Sequence, residues 1–173
     1  MYNWKQTLFA ILLLFLSVLT DGFITSAWAG SLETSFGLIV PRMIVLMIII
    51  LSFHYKENFM LVSAGIVGFI MDTYYLGFIG VYVASFIMVA YLSYNFKRII
   101  QPNVLSYTLV SVIGLTLVET VVYGIMRILG VTSISLQMFI VSRLGATLLF
   151  NAIVMLVFSY FIHRFILNIM DES

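Results

Sequence analysis

Residues 104–129 have the sequence VLSYTLVSVIGLTLVETVVYGIMRIL, an apolar run in which Glu119 and Arg127 are the two charged positions. A helix needs about 20 predominantly apolar residues to cross the hydrocarbon core of a bilayer. The stretch is long enough for this, so it predicts a membrane-spanning helix.

Five further apolar segments accompany it, and short joins predict that neighbouring helices pack as antiparallel hairpins. The six segments lie at about 6–29, 40–53, 59–74, 78–94, 104–129 and 137–162. The second is expected to carry Pro41 in its first turn, where proline is tolerated. We predict an all-α integral membrane protein, a bundle of six transmembrane helices with short loops that forms one domain over residues 1–173.

The composition agrees with a protein that lies almost wholly in the bilayer. Hydrophobic residues make up 63% of the chain and charged residues 9%, whereas a soluble domain carries about 25% charged residues. A net charge of +1 gives no indication of nucleic-acid binding, and the absence of cysteine excludes disulfides and thiolate metal sites. Residues 8–19 followed by Ala27-Trp28-Ala29 imitate a secretory leader, but we interpret the segment as the first membrane helix.

The distribution of positive charge predicts the orientation. With six spans, one side of the membrane receives these residues: Lys5, Lys56, Lys97, Arg98 and Arg164. The opposite side carries Glu33 in the first loop. Because cytoplasmic loops carry an excess of lysine and arginine, we expect a multi-pass protein of the cytoplasmic membrane with both termini in the cytoplasm.

Ionisable residues inside the apolar runs are the candidate site. They are Asp21, Arg42, Asp72, Glu119, Arg127 and Arg143. A charge at mid-bilayer costs at least about 2.5–3.5 kcal/mol, so such residues usually pair with one another. From the helical rise we place all six in the outer part of the membrane, with the acids roughly 20 Å above the cytoplasmic helix starts. Three acids and three bases make mutual neutralisation possible, and we expect Arg42 and Arg143 each to face an acidic partner among Asp21, Asp72 and Glu119.

Helical spacing arranges these residues in stripes. A spacing of four aligns Glu119, Tyr123 and Arg127, and likewise Arg143, Thr147 and Asn151. Gly65, Gly68 and Asp72 share a face on which small residues allow close helix packing. Two interpretations remain open. The polar faces either hold the bundle together, or they form an outward-facing pocket or a docking face for another membrane protein.

Catalysis is poorly supported by the sequence. No HExxH motif, phosphate-binding glycine loop or nucleophile elbow is present. His54 and His163 fall at cytoplasmic helix ends, where histidine more often caps carbonyls than binds metal. Tyrosines such as Tyr82 are interpreted as interface anchors. We therefore predict no enzyme activity, no cofactor and no metal.

Several motifs, taken in order, resemble the rod shape-determining protein MreD family. They are Val40-Pro41-Arg42, GIVGFIMD at 65–72, Gly80-Val81-Tyr82, Tyr91-Leu92, Glu119, Gly124, Arg143 and Asn151. The resemblance implies a non-enzymatic scaffold of the bacterial cell-wall elongation machinery, involved in cell shape and peptidoglycan synthesis. It implies association with MreC and, through it, with MreB, RodA and a class B penicillin-binding protein. It also implies a fold like the substrate-binding subunits of energy-coupling-factor transporters.

That fold likeness supplies the main alternative, an outward-facing small-molecule binding subunit of a transporter. The first outer loop is modest in length, which favours the scaffold. A third possibility is a protein that handles lipid precursors and holds pyrophosphate with Arg42, Arg127 and Arg143. Three arginines against three carboxylates leave no net positive charge, which weighs against it.

Overall fold

The computed structural model describes residues 4–27, 33–34 and 37–171, and the predicted all-α architecture is confirmed. The first five helices are α1 Trp4–Ala27, α2 Met43–His54, α3 Glu57–Met71, α4 Val81–Lys97 and α5 Val104–Ile128. The last, α6, comprises Leu136–Phe139, a π-helical turn Ile140–Leu144 and Gly145–Asp171. A second π-helical turn, Asp72–Leu76, continues α3, and two short strands, β1 Glu33–Thr34 and β2 Gly37–Leu38, pair antiparallel before α2.

Helix α2 forms the centre of the bundle. Its sequence, MIVLMIIILSFH, is apolar almost throughout, and nine of its residues are buried. A helix that is hydrophobic on all sides is covered either by neighbouring helices or by lipid. Here α1, α4, α5 and α6 pack against it. With 12 residues, α2 is about 18 Å long, so it is shorter than the hydrocarbon core.

The longest helices form the outer part of the bundle. Among the described residues, three helices are long and apolar enough to cross a membrane: Trp4–Ala27, Val104–Ile128 and Leu136–Ile162. Each leaves large apolar side chains uncovered, for example Phe15, Leu109 and Phe158. This is the surface expected of helices that face lipid. Helices α3 and α4 are shorter, at 15 and 17 residues, so six full spans stay a prediction.

A close approach of α3 and α4 depends on Gly68. A Cβ atom at Gly68 would lie 2.6 Å from Val83 Cα, whereas one at Gly65 would meet Ile87 Cδ1 at 3.4 Å, an ordinary contact. The predicted glycine face therefore has one tight position, Gly68. The connection between the helices turns at Gly77 and Gly80, whose φ angles of 68° and 116° favour glycine.

The predicted position of Pro41 inside the second helix is wrong. Helix α2 begins at Met43 with Arg42 as its N-cap, so Pro41 precedes the helix. The physical reason is tertiary, because side chains of α6 bond the backbone of Val40 and Arg42 and hold this segment outside the helix. The hydrophobic periodicity of the sequence gives no information about that contact.

Candidate functional site: the buried charge cluster

Two arginines share one buried carboxylate. Arg42 Nε donates to Glu119 Oε1 at 2.7 Å, and Arg143 Nε donates to Glu119 Oε2 at 3.1 Å. The side chains of Arg42 and Glu119 are 6% and 1% exposed, while that of Arg143 is 33% exposed. We call Arg42, Glu119 and Arg143 the charge cluster, and its formal charge is +1. Both carboxylate oxygens are engaged, as a buried charge requires.

Tyr82 completes the environment of Arg42. Arg42 Nη1 donates to the Tyr82 hydroxyl at 3.0 Å, and the guanidinium carbon lies 5.3 Å from the centre of the Tyr82 ring. Tyr82 is buried and also packs against Phe86. The interpretation of Tyr82 as an interface anchor is therefore wrong. The first turn of α4 places it inside the bundle, and no local sequence signal distinguishes it from the exposed tyrosines.

Side chains of α6 fix the backbone that presents Arg42. Asn151 Oδ1 accepts from Arg42 N, and Asn151 Nδ2 donates to Val40 O, both at 2.9 Å. Thr147 Oγ1 accepts from Val40 N at 3.1 Å and donates to Leu38 O at 3.3 Å. Thr147 and Asn151 thus provide partners for backbone groups at the end of β2 and in the segment that joins β2 to α2. Their spacing of four on one face makes this possible.

Asp21 caps α2 from the neighbouring helix α1. Its two carboxylate oxygens accept from Met43 N at 2.6 Å and Ile44 N at 3.1 Å. The first N–H groups of a helix have no partner inside it, and the helix N-terminus attracts negative charge. Asp21 therefore meets backbone donors where we had predicted an arginine side chain.

Asp72 performs the same task for α4. Its carboxylate accepts from Gly80 N at 2.7 Å, Tyr82 N at 2.8 Å and Val83 N at 3.2 Å, and the residue is fully buried. The π-helical turn that follows α3 aims this side chain across the α3–α4 connection. Neutralisation of all three acids by the three arginines is thus wrong, because two of the acids cap helices, while Arg42 and Arg143 each face an acidic partner, Glu119.

Arg127 lies apart from the charge cluster. It is exposed, and its Nη1 donates to Ile134 O at 3.3 Å and approaches Thr132 O at 3.5 Å. Tyr123, one turn earlier on α5, donates its hydroxyl proton to the same Ile134 carbonyl at 2.8 Å. The two side chains hold the loop between α5 and α6. The predicted stripe therefore divides, with Glu119 in the cluster and Arg127 at the loop.

Two of the cavities next to these elements bear on function. The first, which we call the cluster cavity, has a volume of about 230 Å³ and is lined by Glu119, Arg143, Tyr123 and the α5–α6 loop. The second, the apolar groove, has a volume of about 580 Å³ and lies between α1, α2 and α6. Within the described part of the chain, no group of three or more histidine, aspartate or glutamate side chains could hold a metal ion.

Together, the fold and the charge cluster define a helical integral membrane protein whose buried ionisable groups are bonded inside the bundle. A family model for the rod shape-determining protein MreD matches residues 4–169. The chain belongs to this family, which supports a role in rod shape determination.

One curated relative has a significant match. The chain is 26% identical over 113 residues to the rod shape-determining protein MreD of Bacillus subtilis (strain 168). The match covers 65% of this chain and 66% of the relative, slightly less than two thirds of its length. No solved structure matches. The likeness to energy-coupling-factor subunits therefore stays a prediction.

Proposed function

We propose that the protein is a non-enzymatic membrane scaffold of the bacterial cell-wall elongation machinery. In this role it binds MreC and, through MreC, associates with MreB, RodA and a class B penicillin-binding protein. It thereby takes part in the regulation of cell shape and peptidoglycan synthesis from the cytoplasmic membrane. The observation that carries the proposal is the use of the buried ionisable groups to hold the backbone and the helix ends.

The three buried carboxylates support a structural role. Each accepts two or three hydrogen bonds, and none is more than 4% exposed. A general acid or base must reach the proton that it transfers. Asp21, Asp72 and Glu119 instead have their oxygens directed at donors of the protein itself. These groups are suited to keeping one rigid arrangement of helices, which a scaffold needs.

The apolar groove is the surface that we assign to a partner's transmembrane helix. Its floor is the central helix α2, with Met47 and Ile50, and its walls are Leu16 on α1 and Phe158 on α6. Helices in lipid associate through shape and close packing, since lipid tails are as apolar as leucine. A concave, apolar channel between two long helices offers a partner helix more contact than a convex face does.

Site-specific photo-crosslinking in the native membrane tests both parts of this proposal. A photoreactive residue is placed at Leu16 or Phe158 in the groove, or at Leu109, an exposed control on α5. We expect a covalent adduct with MreC from the two groove positions and none from the control. Adducts with lipid alone from all three positions would refute the docking surface. Failure of MreC to co-purify with the unmodified chain would refute the scaffold.

The presence of the cluster cavity raises a second candidate, an outward-facing small-molecule binding subunit. Its volume of about 230 Å³ is below the range of roughly 300–1,000 Å³ that is usual for small-molecule sites. The size therefore supports the scaffold over this alternative. Mass spectrometry of the purified protein under native conditions discriminates the two, because a transporter subunit should retain a small organic molecule when MreC is absent.

A further inference from the structure

We propose that the cluster cavity binds a phosphate-bearing anionic group through Arg143 and Arg127. The chemistry recognised is a phosphate, carried either by a lipid headgroup or by a free ion. The inference does not depend on the scaffold role, because it rests on the charge and the free donors of this cavity.

The charge cluster has more positive than negative charge at the cavity. Glu119 is bonded to two arginines, so one positive charge of the three residues is not neutralised. Arg42 is buried behind the carboxylate, whereas Arg143 is one third exposed and lines the cavity. The excess charge is therefore accessible at Arg143. An anion there would be attracted in a medium less polar than water, where charge–charge interactions are stronger.

Arg143 also has unused hydrogen-bond donors. Within the part of the chain that the structure describes, its one side-chain hydrogen bond leaves from Nε. A guanidinium has five N–H donors in a planar fork, so the four on Nη1 and Nη2 remain. This fork matches two phosphate oxygens and forms shorter, stronger hydrogen bonds with them than neutral donors do.

A second arginine contacts the loop that lines the cavity, although it is not itself one of the lining residues. Arg127 contacts the carbonyls of Thr132 and Ile134, and both residues line the cavity. These contacts use Nη1, so the N–H groups on Nη2 and Nε are left as donors for an anion. The loop residues Val131 and Ile134 are exposed, so the cavity has a mouth. Apolar side chains form part of the cavity wall, namely those of Val122, Met126 and Phe139. That wall suits the glycerol or alkyl part of a lipid phosphate.

Three acids balance three arginines over the whole bundle, but this balance does not hold at the cluster cavity. Asp21 and Asp72 accept hydrogen bonds from the N-termini of α2 and α4, whose partial positive charge they offset. Neither acid lines the cavity. Glu119 does line it, but each of its oxygens bonds to an arginine. Among the side chains that the structure describes, an incoming phosphate thus meets donors at the cavity rather than free carboxylate oxygens.

The test measures binding of defined probes to the purified full chain in a neutral detergent by native mass spectrometry. The probes are dihexanoyl phosphatidylglycerol, the phosphate-free dihexanoylglycerol with the same tails, and inorganic pyrophosphate as competitor. Arg143→Gln is compared with Arg98→Gln, which removes the same charge at the C-terminal end of α4, away from the Tyr82 end of that helix. It is also compared with Arg127→Gln, which leaves Glu119 and its partners intact.

We expect the phosphatidylglycerol complex to weaken by about tenfold or more in Arg143→Gln, as charge-assisted hydrogen bonds imply. A smaller loss is expected in Arg127→Gln and no change in Arg98→Gln. Displacement by pyrophosphate would show that free phosphate also binds, and no displacement would assign the site to lipid phosphate. Equal binding of dihexanoylglycerol overturns the proposal. Wild-type affinity in both Arg143→Gln and Arg127→Gln also overturns it. If Arg143→Gln does not fold, wild-type affinity in Arg127→Gln alone overturns it.

Discussion

Asn151 lies 109 positions after Arg42 in the chain, and its side-chain oxygen accepts a hydrogen bond from the Arg42 backbone N–H at 2.9 Å. Through its nitrogen the same amide donates to Val40 O. One side chain of α6 thus holds the segment that presents Arg42 to Glu119. The charge cluster depends on this contact, because Arg42 is the N-cap of α2 and its direction follows from the backbone there.

Replacing Asn151 by leucine should lower the thermal stability of the protein in detergent. The change keeps a similar volume but leaves Arg42 N–H and Val40 C=O without this partner. A buried polar group that loses its partner costs about 1–3 kcal/mol. The matched control is Asn95→Leu, whose amide donates to Tyr91 O at an exposed site. Equal shifts of the unfolding midpoint in the two variants would contradict the assignment.

Substitutions of Asp72 should destabilise the protein in a graded order. Asp72→Asn keeps one oxygen acceptor, whereas Asp72→Leu removes the acceptor for all three N–H groups at the start of α4. Loss of a cap costs about 0.5–2 kcal/mol, so the asparagine variant should lie between the wild type and the leucine variant. Glu57→Gln, at the first turn of α3, serves as control. A leucine variant that unfolds at the wild-type temperature would show that Asp72 has another role.

Removing Glu119 alone should be worse than removing Glu119 together with Arg42. Glu119→Leu leaves Arg42 buried without its carboxylate, a change that costs about 3–5 kcal/mol. In the double variant with Arg42→Met, the remaining Arg143 is one third exposed and water can reach it. Chemical unfolding of both variants measures the difference.

The surface pair of Arg98, which is exposed, and Glu57, which is half-buried, lies at 3.8 Å and provides a control cycle for this measurement. Its coupling should be about 0–1 kcal/mol, as for other surface pairs. If the double variant at Arg42 and Glu119 is less stable than Glu119→Leu, the buried cluster does not behave as a compensated charge pair.

Alanine at Gly68 should be far less tolerated than alanine at Gly65. A methyl group at Gly68 would press against the backbone of Val83, which cannot move without separating α3 from α4. At Gly65 it meets the end of a flexible isoleucine side chain. Both substitutions add the same group to the same helix, so they control for helix propensity. Similar yield and melting temperature for the two variants would remove Gly68 as the point of closest packing.

The orientation can be tested with single cysteines, because the chain has none of its own. A cysteine at Glu33 should react with an impermeant thiol reagent added outside the cell, and one at Gln101 should not. Gln101 is preferred to Asn103 because the Asn103 side chain accepts from Ser106 N and caps α5. The reverse labelling pattern would place both termini outside.

Much of the architecture could be predicted from local properties. The fifth segment, expected at 104–129, is the helix Val104–Ile128, and the sixth differs from its prediction mainly by extending to Asp171. The second and fourth helices begin three residues later than predicted, at Met43 and Val81. At both starts a carboxylate from another helix binds the first N–H groups, and such a contact leaves no mark in hydropathy.

What the sequence determined by itself is the all-helical membrane class, the family, and which ionisable residues lie inside apolar runs. These follow from composition, run length and the order of motifs, which are properties of the chain alone. The tertiary structure decided their partners. Arg42 and Arg143 both bind Glu119, while Asp21 and Asp72 bind helix N-termini. Spacing along a helix gives the face of a residue but not the helix that faces it, so only the packed bundle could settle these contacts.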